Sequence, residues 1–284
     1  MKSGEDRYAE LLARPGDLQR HVMMTLQAQM HPQPAITSTN QPLDATASSV
    51  LLLLAPEAPR AGAPPEVSLI LTKRSRRVRQ AGDLCCPGGT VEPRLDRILA
   101  KLLRLPHSPL SRWPYWPALR ALEPTAARQL AFMLATGLRE SWEEMRLNPL
   151  RLRFLGILPQ ERLALFPRII YPLVAWVERQ KHFFPSWEVD RIVSIPLRVL
   201  LNPSNYCRYR LYVEPHLVSR YRQEVQDYPC VFHRDQKQTE ILWGVTYRIV
   251  TQFLQQVFGY SAPDVTSRPF IPGLLDDGYI NGRT

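Results

Sequence analysis

Residues 134–147, LATGLRESWEEMRL, crowd Glu140, Glu143 and Glu144 beside Arg139. On a helix, positions i, i+3 and i+4 share one face, so the three carboxylates can converge within a few ångströms. Like charges placed that way repel by about 0.2–0.5 kcal/mol per pair, which a cation or an arginine would relieve. Hard oxygen donors in a small group suit Mg²⁺ or Mn²⁺, which keep several waters and complete their octahedron with substrate phosphates. A solvated acidic face is the competing reading, and the helix alone leaves both open. Upstream, Pro87, Gly88 and Gly89 make a tight turn after an apolar run. A backbone without side chains there lets a metal or a phosphate approach closely.

The elements that must position these residues follow from the pattern of apolar positions. Tyr8, Leu11, Leu12, Leu18, Met23 and Leu26 recur at helical spacing around an RPGD break, predicting two short helices within residues 6–29. HPQPAITSTNQP reads as a linker. SVLLLLA and VSLILTKRS are short apolar runs joined by a Pro-rich turn, the signature of neighbouring strands. The acidic stretch lies in a long helix beginning near PTAARQ, with Thr125 as its N-cap and Asn148-Pro149 as its stop. LRFLGIL, RIIYPLVAWVE and DRIVSIPL read as further strands, and TEILWGVTYRIVTQFLQQVF as a closing helix. Residues 97–124, with five prolines and the aromatic RWPYW, read as an insertion: either a surface elaboration, or a lid or dimer contact.

A chain of 284 residues, 45% hydrophobic, can bury a sizeable core. Its net charge of +10 comes almost wholly from arginine, whose planar fork suits phosphates and carboxylates. The arginines are spread along the chain without a nucleic-acid motif, so nucleic acid is not an expected partner. Cys85, Cys86, Cys207 and Cys230 lack metal-ligand spacing and are expected to be reduced, buried thiols. The start of the chain has no apolar leader and no run is long enough to span a membrane, so a cytoplasmic protein is expected.

Taken together, these motifs resemble the Nudix hydrolases, in which a GG turn is followed, through a loop, by a helix bearing R-E-x-x-E-E. LTKRSRRVRQAGDLCCPGG is similar to the signature of the coenzyme A diphosphatases, roughly L-T-x-R-S…R…G…F-P-G-G. FLGILPQ, PSWEVDRIVSIPLRVLL and EILWGVTYRIV resemble later family segments in order and spacing. The resemblance covers about residues 49–258. It implies a Nudix-type α/β/α sandwich with a mixed sheet, preceded by an N-terminal helical extension and linker (1–48) and followed by a C-terminal tail (259–284).

The resemblance also implies roles. Glu140, Glu143, Glu144 and the backbone of Gly89 would hold Mg²⁺ or Mn²⁺, and Arg139 would brace the carboxylates. Glu143, Glu144, Glu188 and Arg139 are the catalytic candidates, Glu188 as a helper in activating water. Arg74, Arg79, Gly88 and Gly89 would bind the nucleotide, the arginines gripping phosphate oxygens, with a structural salt bridge as their competing role. Glu92 and Asp96 are weaker candidates for outer metal contacts.

The sequence departs from the pattern in several places. Leu95 stands where the first acid of the signature belongs, with Asp96 one residue late, and 42 residues separate Asp96 from Arg139 where the family has seven. Arg146 replaces the glycine that ends the signature, Cys86 replaces a phenylalanine, and RQAG is one residue short of R-x-H-x-G.

The expected activity is hydrolysis of coenzyme A or acyl-coenzyme A to 3′,5′-ADP and (acyl-)4′-phosphopantetheine. The alternatives are a Nudix diphosphatase for ADP-ribose, NADH or dinucleoside polyphosphates, and a non-catalytic nucleotide-binding module. A homodimer is left open.

Overall fold

The structure, a computed structural model, describes residues 4–29, 47–57, 65–162, 168–221, 223–235 and 238–282. The expected linker, residues 31–42, lies outside them. Helices α1 (Gly4–Leu12) and α2 (Pro15–Gln29) precede strands β1 (Ala47–Pro56), β2 (Val67–Arg74), β3 (Leu84–Cys85) and β4 (Gly88–Thr90). Three helices follow, α3 (Pro93–Leu102), α4 (Trp116–Leu122) and α5 (Pro124–Met145). Next come β5 (Leu152–Ile157), β6 (Glu161–Arg162), β7 (Ile169–Val177), β8 (Val189–Pro196) and α6 (Leu197–Leu200). The chain continues through β9 (Tyr206–Val213), α7 (Val218–Tyr221), β10 (Val225–Asp235), β11 (Gln238–Trp243), α8 (Gly244–Phe258), β12 (Phe270–Leu275) and α9 (Asp277–Asn281).

Strand β1 runs parallel to β7 at the centre of a mixed sheet ordered β3-β2-β1-β7-β5, with β4 also on β1, β6 on β7 and β8 on β2. The run of leucines in β1 does not alternate with polar residues because both faces are covered. Leu51 and Leu53 join Leu173 and Ala175 under α3, α4 and α5. Leu52 and Leu54 join Val174 and Trp176 under α2 and α8. The α/β/α sandwich with a mixed sheet is therefore as expected, as are the two N-terminal helices.

Several local expectations are corrected. Trp113 and Trp116 are 1% and 3% exposed, so these two rings belong to the core and are not the exposed aromatics expected. Trp113 packs edge-to-face on Phe154 of β5 at 5.0 Å, adding apolar volume to the core under α5. Thr125 does not cap α5. Glu123 holds the cap position without a side-chain bond and Pro124 opens the helix, while the Thr125 hydroxyl accepts from Arg128. The helix stops earlier than Asn148, at Arg146, which takes the left-handed conformation (φ 55°) at the place of the missing glycine. Its guanidinium lies over Trp142 at 4.2 Å.

The expected closing helix begins only at Gly244, because its first residues alternate buried Glu240 and Leu242 with more exposed neighbours, a strand period that pairs β11 with β10. Residues after 258, read as a tail, instead supply β12 and α9, and β12 pairs in parallel with β9. A second sheet, β11-β10-β9-β12, results. Among the described residues no helix is long and apolar enough to cross a membrane. Cys86, Cys207 and Cys230 are buried free thiols and Cys85 is half-buried, its thiol pushed up to about 12 by burial.

Candidate active site

Helix α5 lies across β1 and carries Arg139, Glu140, Glu143 and Glu144 to the short strand β4. That strand pairs Gly88 with Val50 and Gly89 with Ser49 of β1. Gly88 has φ 144°, and a Cβ there would stand 2.3 Å from the Ser49 carbonyl oxygen, so no side chain fits. At Gly89 a Cβ would meet the Glu140 carboxyl carbon at 2.5 Å. The bare glycine lets the Glu140 carboxylate lie against the strand backbone.

Arg139 joins helix and strand. Its Nη2 donates to the Thr90 carbonyl at 2.9 Å, and its Nε donates to Asp96 Oδ1 at 2.8 Å. Asp96 is wholly buried on α3, where its Oδ2 also accepts from Thr136 Oγ1 and from the Glu92 amide, each at 2.7 Å. Both oxygens are thus taken by protein donors, and Asp96 is a buried partner of Arg139, not the outer metal contact expected. Leu95, at the family's first-acid position, is exposed, and the one-residue shift turns Asp96 inward instead. Glu92 precedes α3 as an exposed residue with no side-chain capping bond. Burial opposes the charge on Arg139, yet its hydrogen bond to Asp96 and the carboxylates of Glu140, Asp96 and Glu143 outweigh that and raise its pKa.

The three glutamates share a helix face but do not form the tight cage expected. Among the described residues, only Glu214, His216 and Asp277, on the second sheet, bring three candidate ligand atoms within 4.8 Å of one another. Glu140 and Glu143 both accept from Arg139 Nη1, at 3.0 and 3.2 Å, while Glu144 accepts from the Gly88 amide at 3.3 Å. Glu140 and Glu143 thus share one donor, and Glu144 takes another. Glu143 is about half exposed. Burial raises the pKa of Glu140, with Arg139 opposing. Burial pushes Glu144 up to about 8, eased by the Gly88 amide and Arg74 and reinforced by Glu140 and Glu188.

These residues fit a hard divalent cation. The donors are all oxygen, Gly89 leaves the strand backbone open, and Glu144 is a partly buried carboxylate with one long hydrogen bond and no ion-pair partner among the described residues. The charges of Arg74 and Glu188 both act on Glu144, Arg74 lowering its pKa and Glu188 raising it. The exposed Glu188 opens β8, and its carbonyl accepts from the Ser75 amide, while the Ser186 amide donates to the Glu144 carbonyl. Arg74 ends β2 and donates from its Nε to the carbonyl of the exposed Arg79 at 2.7 Å. The structure therefore gathers Arg74, Gly88, Gly89, Arg139, Glu140, Glu144 and Glu188, and leaves Glu143 and the Arg79 guanidinium at the rim.

Two features escape a reading of the sequence. Glu240 of β11 is 1% exposed between the two sheets, ion-paired with Lys73 at 3.2 Å and with Arg191. Asp83 accepts from Trp243 Nε1 at 3.0 Å and from the Tyr279 hydroxyl at 2.8 Å, and burial pushes it up to about 6. Neither has a local sequence signal. A cleft of about 510 Å³ lined by Tyr8, Leu11, Arg14, His21 and Phe258 lies beside α1, α2 and α8, against the opposite face of the sheet from α5.

No family model matches the chain, and no curated protein does. Among solved structures it is similar to a MutT/nudix family protein from Enterococcus faecalis, with a TM-score of 0.39 and 10% identity over 87% of this chain and 75% of that one. It is also similar to a NUDIX hydrolase from Alicyclobacillus acidocaldarius, with a TM-score of 0.35 and 16% identity over 57% and 83% of the two chains. A third similar structure is a C. elegans Ap4A hydrolase binary complex, with a TM-score of 0.34 and 13% identity over 55% and 83%. All three likenesses are distant.

Proposed function

We propose that the chain is a metal-dependent hydrolase of a nucleoside diphosphate derivative, with coenzyme A or acyl-coenzyme A as substrate and 3′,5′-ADP and (acyl-)4′-phosphopantetheine as products. The observation that carries the reading is the placement of Glu140 and Glu144 against Gly88 and Gly89, in register with Arg139 and its buried partner Asp96. An acidic surface helix would not place a partly buried carboxylate on the Gly88 amide, at a strand position that admits no side chain. The coenzyme A assignment is drawn from residues 71–89, whose arginines Arg74 and Arg79 flank the same glycine strand.

In this reading Glu140, Glu144 and Glu143, with the Gly89 backbone, hold Mg²⁺ or Mn²⁺. A cation held there would supply charge neutralisation for the diphosphate and a lowered pKa for the water that attacks phosphorus in line. Arg139 keeps the Glu140 and Glu143 carboxylates oriented, and Asp96 keeps Arg139 in place. Glu188, beside Glu144, accepts a proton from the attacking water. Arg74 and Arg79 bind phosphate oxygens through guanidinium forks. No covalent intermediate is needed, because water reaches phosphorus directly.

The test is product analysis on coenzyme A, NADH and ADP-ribose with Mg²⁺ and with Mn²⁺. The expected result is 3′,5′-ADP from coenzyme A at the highest kcat/KM of the three. Rapid cleavage of NADH or ADP-ribose with coenzyme A left intact would replace the substrate assignment. Binding of all three without turnover would leave a nucleotide-binding module.

A further inference from the structure

The loop of residues 75–83 leaves β2 after Arg74, returns at β3 and carries Arg76, Arg77 and Arg79. Local backbone bonds close it: Gly82 N–H to the Arg74 carbonyl at 3.0 Å, Arg74 N–H to the Asp83 carbonyl at 2.9 Å, and Asp83 N–H to the Gln80 carbonyl at 3.2 Å. The Ser75 amide also donates to the Glu188 carbonyl at 2.8 Å, and further contacts come from Trp243 and from residues 279–282. The Gln80 amide donates to the Tyr279 carbonyl at 2.6 Å, and the Tyr279 hydroxyl donates to Asp83 Oδ2 at 2.8 Å. Gly282 passes so close to Arg77 that a Cβ would stand 2.7 Å from its carbonyl oxygen. Trp243 reaches the other Asp83 oxygen and sits among the rings of Tyr209, Tyr228 and Tyr279.

The segment making these contacts is itself anchored. β12 pairs with β9 along its length, the Asp276 side chain accepts from the Tyr279 amide at 2.6 Å, and Asp277 pairs with His216 at 2.9 Å. None of these groups belongs to α5 or β4. The loop is therefore gripped on both sides of Arg79, at Arg77 and Gln80, and at its exit, Asp83. A loop already ordered loses less conformational freedom when it binds a ligand, so its grip bears on affinity.

We infer that residues 270–282, acting through Tyr279 and Asp83, are a positioning element for the arginine loop and set the affinity for the phosphate-rich end of the substrate without entering the hydrolytic step. The inference rests on the reading of Arg74 and Arg79 as phosphate ligands. Tyr279 and Asp83 touch neither the glutamates nor the reacting atoms, so their effect falls on KM.

Three measurements on the full chain and on Tyr279→Phe test this: amide hydrogen exchange over residues 75–83, calorimetric binding of 3′,5′-ADP, and kinetics on coenzyme A with Mn²⁺. Loss of a hydrogen bond to a carboxylate is expected to speed exchange in the loop, weaken 3′,5′-ADP about tenfold and raise KM by a like factor, with kcat held within about twofold. Trp243→Phe, which removes the other donor to Asp83, moves the same readouts in the same direction. Unchanged loop exchange, unchanged 3′,5′-ADP affinity, or a fall in kcat at constant KM overturns the inference. If the wild-type chain leaves coenzyme A intact but binds 3′,5′-ADP with this dependence on Tyr279, the positioning stands and the substrate assignment falls. Failure of the wild-type chain to bind 3′,5′-ADP removes both.

Discussion

The acidic and basic halves of the candidate site are held in different ways. Glu140, Glu143 and Glu144 stand on one helix within five residues of one another, and Arg139 of the same helix reaches two of them. Two residues of that helix, Arg139 and Thr136, reach the buried Asp96 and fix that half to α3. The arginine loop is closed by local backbone bonds and by Arg74 Nε on the Arg79 carbonyl, and the Asp83 side chain at its exit is held from far along the chain. Trp243 and Tyr279, which hold it, lie 160 and 196 residues along the chain from Asp83. A half organised by helix spacing should keep its geometry when distant residues change, whereas a half organised by distant contacts can be released by one hydroxyl far away.

The largest expected effect breaks the acidic half. Asp96→Ala leaves Arg139 buried without its main partner and should destabilise the fold by about 3–5 kcal/mol, read by chemical denaturation. A loss below about 1 kcal/mol would mean that Arg139 finds the remaining carboxylates sufficient. Removing a glutamate should do the opposite to stability while stopping the chemistry. Glu144→Gln is expected to lower kcat by roughly 100-fold or more, a size usual for loss of one proton-handling or ligand group.

The sign of the stability change for Glu144→Gln follows from its ionisation. The Glu144 pKa is raised from 4.5 to about 8, so its protonated form favours the fold at low pH and that contribution is lost as pH rises through 8. The metal-free glutamine variant should therefore melt higher than wild type at pH 9 and show no such advantage at pH 4. Equal melting temperatures at both pH values would count against burial as the cause.

A smaller and slower-varying effect sharpens the contrast on the basic half. Asp83 is raised from 3.8 to about 6, so its contribution is present below pH 3.8 and disappears as pH rises through 6. Relative to Asp83→Asn, wild type should lose at most about 3 kcal/mol between pH 4 and 7, a bound set by the size of the shift. Urea denaturation of both chains across that range measures it. Parallel stability curves would show that the Trp243 and Tyr279 hydrogen bonds fully offset the burial of the charge.

The same contrast explains what could be read in advance. Strands β1, β2, β5 and β7 and the two N-terminal helices follow from apolar spacing, because each must bury a continuous or periodic apolar face. R-E-x-x-E-E and P-G-G each constrain only their own backbone, so the meeting of helix and glycine strand was expected from the family resemblance and not from either motif alone. Misreadings came where partners lie outside the local window. Trp113 looks like an idle surface aromatic until β5 supplies Phe154 against it. β11 looks like the first turn of a helix until β10 offers it a ladder.

The amino-acid order by itself determined that three carboxylates share one helical face, that a bare glycine strand precedes them, and that arginines crowd the end of the second strand. Periodicity and backbone freedom are properties of a few consecutive residues, so they survive reading one residue at a time. Only the tertiary structure decided that Asp96 turns inward to hold Arg139, that the carboxylates spread instead of closing on one point, and that the last residues of the chain grip the arginine loop. Burial, the charge state of Glu144 and Asp83, and the choice of hydrogen-bond partner depend on which distant surfaces meet, and no local pattern carries that information.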